Sequence, residues 1–205
     1  MPPPALDAKR GDIGKTATAY ARSVFELWRA DATTVAPYMG SDSIAPFTAY
    51  CAPENGGKGV YVLCRTSNTS ANEVQDLPVK DPMPNVSDPL FLAVAEYISV
   101  KWYAPGIGAV VGATELSELE RIARFFKKAD DREIPLLIPG VGAQGGSAKE
   151  VADVLRGVGY DLRICRINSS SGIAEAWKKE EKPDDYAGAA VRAIQKLNEE
   201  IGPLS

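Results

Sequence analysis

Short apolar runs of strand length alternate along this chain with segments whose apolar residues recur at helical spacing. The runs at 4–8, 32–36, 59–64, 108–112, 134–138 and 162–167 predict six strands. In 13–29, Ala17, Tyr20, Ala21, Val24, Leu27 and Trp28 fall at i, i+3, i+4, i+7 spacing, while Arg22, Glu26 and Arg29 lie outside the stripe. That spacing predicts an amphipathic helix with the stripe turned to the core. Further helices are expected at 88–102, 115–128, 147–156 and 184–201, the third opened by the capping-box residues Ser147 and Glu150. Residues 69–87, with Pro78, Pro82 and Pro84, read as the longest irregular connection. Strand and helix patterns alternate every ~25–30 residues, which indicates βα units around a parallel sheet and an α/β fold. The expectation is one domain over residues 1–205.

Composition narrows the function classes more than the fold. The net charge of -4 and the lack of any basic run give no sign of nucleic-acid binding. No uninterrupted apolar stretch reaches ~18 residues, so no membrane span is expected, and the first residues lack the regions of a signal peptide. Cys51, Cys64 and Cys165 match no metal or redox spacing and read as reduced, buried residues of a cytoplasmic protein. Histidine is absent. A Ser-His-Asp relay, a His-ligated metal and an imidazole acid or base are therefore excluded, and proton transfer falls to Lys, Asp, Glu, Tyr or Cys.

Candidate chemistry begins at Asp7-Ala8-Lys9-Arg10-Gly11-Asp12-Ile13-Gly14-Lys15-Thr16. On a strand, period-2 geometry puts Asp7 and Lys9 on one face, and Asp12 falls where the next helix starts. An acid and a base together at the C-terminal end of a strand suggest a site, because buried charge is costly without a partner. The alternative is a surface turn carrying an ion pair.

A second candidate is Gly140-Val141-Gly142-Ala143-Gln144-Gly145, which matches G-x-G-x-x-G between a strand and a capped helix. Asp161 lies about twenty residues on but precedes the next strand, where a ribose-binding acid does not belong. A phosphate cradle fits better, since small residues expose backbone N–H groups beside a helix N-terminus. In βα barrels the phosphate is often held by the last two βα loops, here Pro139–Gly146 and Asn168–Gly172.

With these residues assembled, the sequence resembles the orotidine 5'-monophosphate decarboxylase family, in particular the branch whose motif reads D-A-K-R-G-D-I-G-x-T. The resemblance includes Ala36–Ser43, Arg65-Thr66-Ser67-Asn68, Val110–Thr114, Leu136–Gly146 and Ile167–Ser170, in order along nearly the whole chain. It implies a (βα)8 TIM barrel and decarboxylation of orotidine 5'-monophosphate to UMP in pyrimidine biosynthesis, with no metal or organic cofactor. On that likeness Lys9 is the proton donor and Asp7 lies against the substrate carboxylate, holding Lys9 charged and placed. The resemblance further implies a homodimer with shared active sites. Asp12 would reach the partner's site, Ile13 would line it, and Thr16 would bond a ribose hydroxyl. Ser67 would bind the pyrimidine edge, while Pro139, Gln144 and the Ser170–Ser171 backbone would belong to the substrate and phosphate grip.

Two departures stand out. The six strands correspond to about six of the eight βα units, and the resemblance implies that the first two units carry another catalytic lysine and a ribose-binding acid. Ser171 also stands where the family usually has arginine, which removes a charge-assisted phosphate contact. These departures lead to the expectation that the 205 residues alone are a poor decarboxylase. They keep a second reading open: a non-catalytic paralogue that binds nucleotide or a partner subunit. A metal-dependent sugar-phosphate lyase also shares D-x-K-x-x-D, but Arg65–Asn68 disfavours it.

Overall fold

The computed structural model describes residues 4–80, 87–128, 134–142, 145–179 and 184–204. In chain order the strands are β1 Ala5–Arg10, β2 Ala32–Val35, β3 Gly59–Arg65, β4 Pro78–Lys80, β5 Ser87–Pro89, β6 Ile107–Val111, β7 Leu136–Pro139 and β8 Cys165–Asn168. The α-helices are α1 Gly14–Arg22, α2 Ser41–Thr48, α3 Asn72–Gln75, α4 Leu90–Glu96, α5 Leu116–Lys128, α6 Ala148–Val158, α7 Ser170–Ala174 and α8 Tyr186–Ile201. Six strands form one sheet in the order β1-β2-β3-β6-β7-β8. Strands β1, β2 and β3 pair in parallel, as do β6 and β7. This is the α/β arrangement that the alternating pattern predicts, with a strand near each of the six apolar runs.

The chain divides into two compact units, Met1–Val110 with Ile134–Leu137, and Val111–Glu133 with Ile138–Ser205. In the first, β3 and β6 are buried almost throughout, as expected of parallel strands covered on both faces. Ala17, Ala21 and Val24 of the first helix, Ile44 and Phe47 of α2, and Ile98 are also almost wholly buried in this unit. In the second unit, α5 buries Leu119, Ile122, Ala123 and Phe126, and α6 buries Ala148, Val151, Ala152 and Leu155. Both sets have the i, i+3, i+4, i+7 spacing of a single apolar stripe. The Ser147 hydroxyl accepts the Glu150 N–H at 3.3 Å, so α6 is capped as its sequence predicts.

Three local expectations need correction. The stripe over 13–29 does not stay buried: a π-turn at Ser23–Leu27 follows α1, with Trp28 N–H bonded to Ser23 O. One extra residue in that turn rotates the next side chains by about 100°, leaving Leu27 79% and Trp28 73% exposed. Residues 69–87 are not wholly irregular. They contain a 3-10 turn, Thr69–Ala71, then α3 and β4, and β4 pairs antiparallel with β5. Finally, the run 162–167 starts as a 3-10 turn, Leu162–Ile164, and extends only from Cys165. Asp161 causes this by accepting the Arg163 N–H at 2.9 Å and its guanidinium at 2.7 Å. The Arg163 hydrogen bonds hold the Asp161 carboxyl down at about 2.

Cys51 and Cys64 are buried and Cys165 is half-buried, none of the three in a disulfide. Burial pushes the Cys51 thiol up to about 11 and raises Cys64 as well.

Packing leaves no room at Gly108 on β6, where an added Cβ would meet Pro135 O at 2.6 Å and the Tyr61 ring at 2.7 Å. Backbone and a buried ring cannot both give way. Gly108→Ala is expected to cost about 1–3 kcal/mol of stability, read as a lower midpoint in urea unfolding.

Candidate active site

The candidate site of the first unit is built on β1, where the sheet register slips. Leu6 pairs with Thr33, but Arg10 pairs with Val35, so four residues of β1 advance against two of β2. The surplus is absorbed at 7–9, where Lys9 adopts a left-handed backbone, φ 45°. A non-glycine residue there is strained and persists only where its surroundings hold it. The holding group is Thr34, only 2% exposed. Its hydroxyl accepts the Lys9 N–H at 2.9 Å and donates to Asp7 Oδ1 at 2.7 Å. The other carboxylate oxygen, Oδ2, takes the Lys9 ammonium at 2.5 Å. Asp7 and Lys9 thus meet as the sequence predicts, but through a bulge rather than plain alternation.

Partial burial would raise the Asp7 carboxyl, but the hydrogen bonds from Lys9 and Thr34, together with the Lys9 charge, outweigh it and hold it below 3.8. The pair's side chains remain about half exposed, so both ends can be reached from solution. Arg10 lies with its guanidinium 4.8 Å from the Tyr20 ring centroid.

Asp12 is placed differently. Its Oδ1 accepts the N–H of Ile13, the residue that opens α1. Ile13 is 51% exposed and Thr16 is exposed on the first turn. Ile13 also borders an open groove of about 700 Å³, lined further by Lys15, Thr18 and Arg22 of α1 and by Asp42, Ala45 and Pro46 of α2. Ser67 is half-buried in the turn after β3.

In the second unit, the glycine loop closes on itself. Gly142 N–H bonds Gly146 O at 2.9 Å and Gly146 N–H bonds Gly140 O at 3.1 Å. Gly140, Gly142 and Gly145 have φ between 89° and 102°, a backbone that glycine enters freely. Pro139 ends β7, and its carbonyl accepts the Ala113 N–H at 2.8 Å. Gln144 lies outside the described residues. The buried Ser169 hydroxyl donates to Val141 O at 2.9 Å, tying the loop to the turn at 168–172. A Cβ at Gly172 would stand 2.3 Å from that hydroxyl. Ser170 and Ser171 open α7 and are exposed. Asp161, the acid of a dinucleotide reading, is occupied by Arg163.

Sequence reasoning missed Thr34. Its signal was a pair of threonines inside an apolar parallel strand, where a buried hydroxyl must find a partner. Thr33 does so by donating to Leu6 O at 2.9 Å. Among the described residues, no three His, Cys, Asp or Glu side chains gather as a metal site, and no helix is long and apolar enough to cross a membrane.

A parallel α/β sheet with a charged acid–base pair at the end of one strand and a glycine loop after another has the arrangement in which α/β proteins carry sites on strand-to-helix turns. Comparison with known proteins makes this specific. The model of the orotidine 5'-phosphate decarboxylase / HUMPS family matches residues 5–186, and the chain belongs to that family. It is 44% identical over 203 residues to orotidine 5'-phosphate decarboxylase of Bordetella avium, covering 98% of this chain and 67% of the relative. For the Cupriavidus taiwanensis protein of the same name the figures are 44%, 97% and 65%. The solved structure of Leishmania donovani OMP decarboxylase superposes with a TM-score of 0.71 at 35% identity, over 97% of this chain and 68% of that one. Leishmania donovani UMP synthase gives 0.71 at 36% identity, over 97% of this chain and 38% of that one. The chain thus spans about two thirds of the length of the curated relatives it matches.

Because its pKa is lowered, Asp7 contributes stability that is present above the unfolded-state value and lost as pH falls through the folded one. Thr34→Val removes one hydrogen bond that favours the carboxylate and the acceptor for Lys9 N–H. In NMR titration the Asp7 carboxyl should then move up towards 3.8, and the acid side of the stability profile should flatten.

Proposed function

We propose that this chain carries out the decarboxylation of orotidine 5'-monophosphate to UMP, with Lys9 as proton donor and without a metal or organic cofactor. The observation that carries this reading is the Asp7–Thr34–Lys9 cluster on a bulged, strained strand end, in a chain of this family. Such an arrangement is costly to maintain and is typical of a site held ready for charge. In the reaction the bond between C6 and the carboxylate breaks, CO2 leaves, and the electron pair stays on C6. The Lys9 ammonium delivers a proton to that carbon and is left as a neutral amine, to be recharged from solvent. Asp7 keeps the ammonium placed and, beside the substrate carboxylate, makes loss of that negative charge favourable.

Ser67 is assigned to the pyrimidine edge. Pro139, Gln144 and the Ser170–Ser171 backbone are assigned to the substrate and its phosphate. With serine at 171 that grip has no arginine, so phosphate binding should be weaker than a charge-assisted pair would give. The six-stranded sheet corresponds to about six of the eight βα units of a TIM barrel, and residues 1–205 are read as one catalytic domain acting in the cytoplasm. We also infer a homodimer with shared sites: Asp12, Ile13 and Thr16 serve the partner's substrate, Thr16 through a ribose hydroxyl. The exposure of Ile13 and Thr16 and the open groove beside them support this.

Consumption of orotidylate, followed by ultraviolet absorbance and unaffected by EDTA, tests the activity. Lys9→Ala should abolish nearly all turnover while UMP binding remains measurable; retained turnover removes Lys9 from the mechanism. A mixing experiment tests the shared site. Lys9→Ala and Asp12→Ala subunits, each inactive alone, should regain activity when exchanged into heterodimers, because one site then has both residues. No recovery after proven exchange would place Asp12 in its own chain's site.

A further inference from the structure

The turn after β3 is held by more than its own backbone. Gln75, the last residue of α3, turns its side chain back onto that turn and uses both ends of its amide. Its Oε1 accepts the Thr66 N–H at 2.9 Å and Arg65 Nη1 at 3.3 Å, while its Nε2 donates to the Thr66 hydroxyl at 2.7 Å. The Thr66 hydroxyl in turn donates to Asn68 Oδ1 at 2.6 Å. Its proton is therefore committed towards Asn68 and its lone pair towards Gln75. Residues on both sides of Ser67 are fixed by one chain of hydrogen bonds.

Arg65 anchors the chain of bonds from below. It is 5% exposed at the end of β3, a depth at which a charge must be partnered. The Arg65 guanidinium meets Asp76 Oδ1 at 3.4 Å and lies 5.8 Å from the Phe91 ring centroid. Phe91 is itself buried, and its carbonyl accepts the Cys64 thiol at 3.3 Å. Gln75 and Asp76 are consecutive, so one short segment supplies the neutral and the charged partner of the same arginine.

We propose that Gln75, backed by the Arg65–Asp76 pair, is a positioning residue that sets the Ser67 hydroxyl for recognition of the pyrimidine edge. This rests on the assignment of Ser67 to the base. Freezing the turn before the ligand arrives removes an ordering cost from binding, and the benefit falls on the base, not on the rest of the nucleotide. An amide is required at this position. A carboxylate could still accept from Thr66 N–H and Arg65, but it has no proton for the Thr66 hydroxyl. That hydroxyl would have to turn towards residue 75 and release Asn68.

The test compares UMP with ribose 5-phosphate by calorimetry on the full chain, alongside amide hydrogen exchange at Thr66. Gln75→Ala is expected to weaken UMP about tenfold, as the loss of roughly 1.4 kcal/mol of preorganisation would. Ribose 5-phosphate should bind unchanged, and the Thr66 amide should exchange faster. Gln75→Glu, which keeps the acceptor and the Arg65 partner, should protect the amide but still weaken UMP. Ser67→Ala should lose base-dependent affinity by itself, and adding Gln75→Ala to it should cost little more. Equal loss of both ligands in Gln75→Ala would reduce Gln75 to a structural role and overturn the proposal. So would full UMP affinity in Gln75→Ala when Ser67→Ala is weakened. If Ser67→Ala binds UMP normally, or the unaltered chain binds UMP no better than ribose 5-phosphate, the assignment of Ser67 falls and the proposal falls with it.

Discussion

The Thr34 hydroxyl is the point on which the candidate site depends. It accepts from the strained Lys9 backbone and donates to Asp7, whose other oxygen holds the Lys9 ammonium. A left-handed lysine costs on the order of 1–3 kcal/mol, and an isolated bulge would relax. Thr34 belongs to β2, which is paired in parallel on both sides, so it cannot follow such a relaxation. The strain is held by the sheet and falls on Lys9, the proposed proton donor. An ordinary exposed ion pair would be worth little; here its value lies in the fixed direction of the ammonium.

The same economy recurs in the second unit. Ser169 is a single buried hydroxyl that ties the glycine loop to the turn after β8, and Gly142 and Gly172 leave it room. The loop is shaped by backbone hydrogen bonds and by glycines at positive φ. Within the loop the Gly142, Gly145 and Gly146 N–H groups are already taken by its own carbonyls. In the first unit Gln75 does comparable work for the turn after β3. In each place one polar side chain ties a turn to a neighbouring segment.

The chain belongs to the orotidine 5'-phosphate decarboxylase / HUMPS family, and the local chemistry of its first unit is built around one acid–base pair. The absence of histidine confines proton transfer to few residue types, and Lys9 alone combines a proton, a fixed direction and a carboxylate partner within the pair. Remote contacts to ribose and phosphate can supply binding energy that the chemistry then uses. Under the proposed function, serine at 171 would supply less phosphate binding energy than a charged side chain.

Sequence alone determined the α/β class, the six-stranded pattern, the helices at α5 and α6, the Ser147 cap, and the proximity of Asp7 and Lys9. These features arise from local periodicity and from residue types with few alternatives. The rest required the tertiary structure. No pattern announces the extra residues in β1, because a bulge exists only relative to the strand beside it. Leu27 and Trp28 carry a helical stripe yet are exposed, because a π-turn rotates them off the face. Thr34, Gln75 and Ser169 are common polar residues whose importance arises only from what folding brings within hydrogen-bond reach: Asp7 and Lys9, Thr66, and Val141. Propensity acts along the chain, whereas these interactions act across it, and only the folded packing decides which distant groups meet.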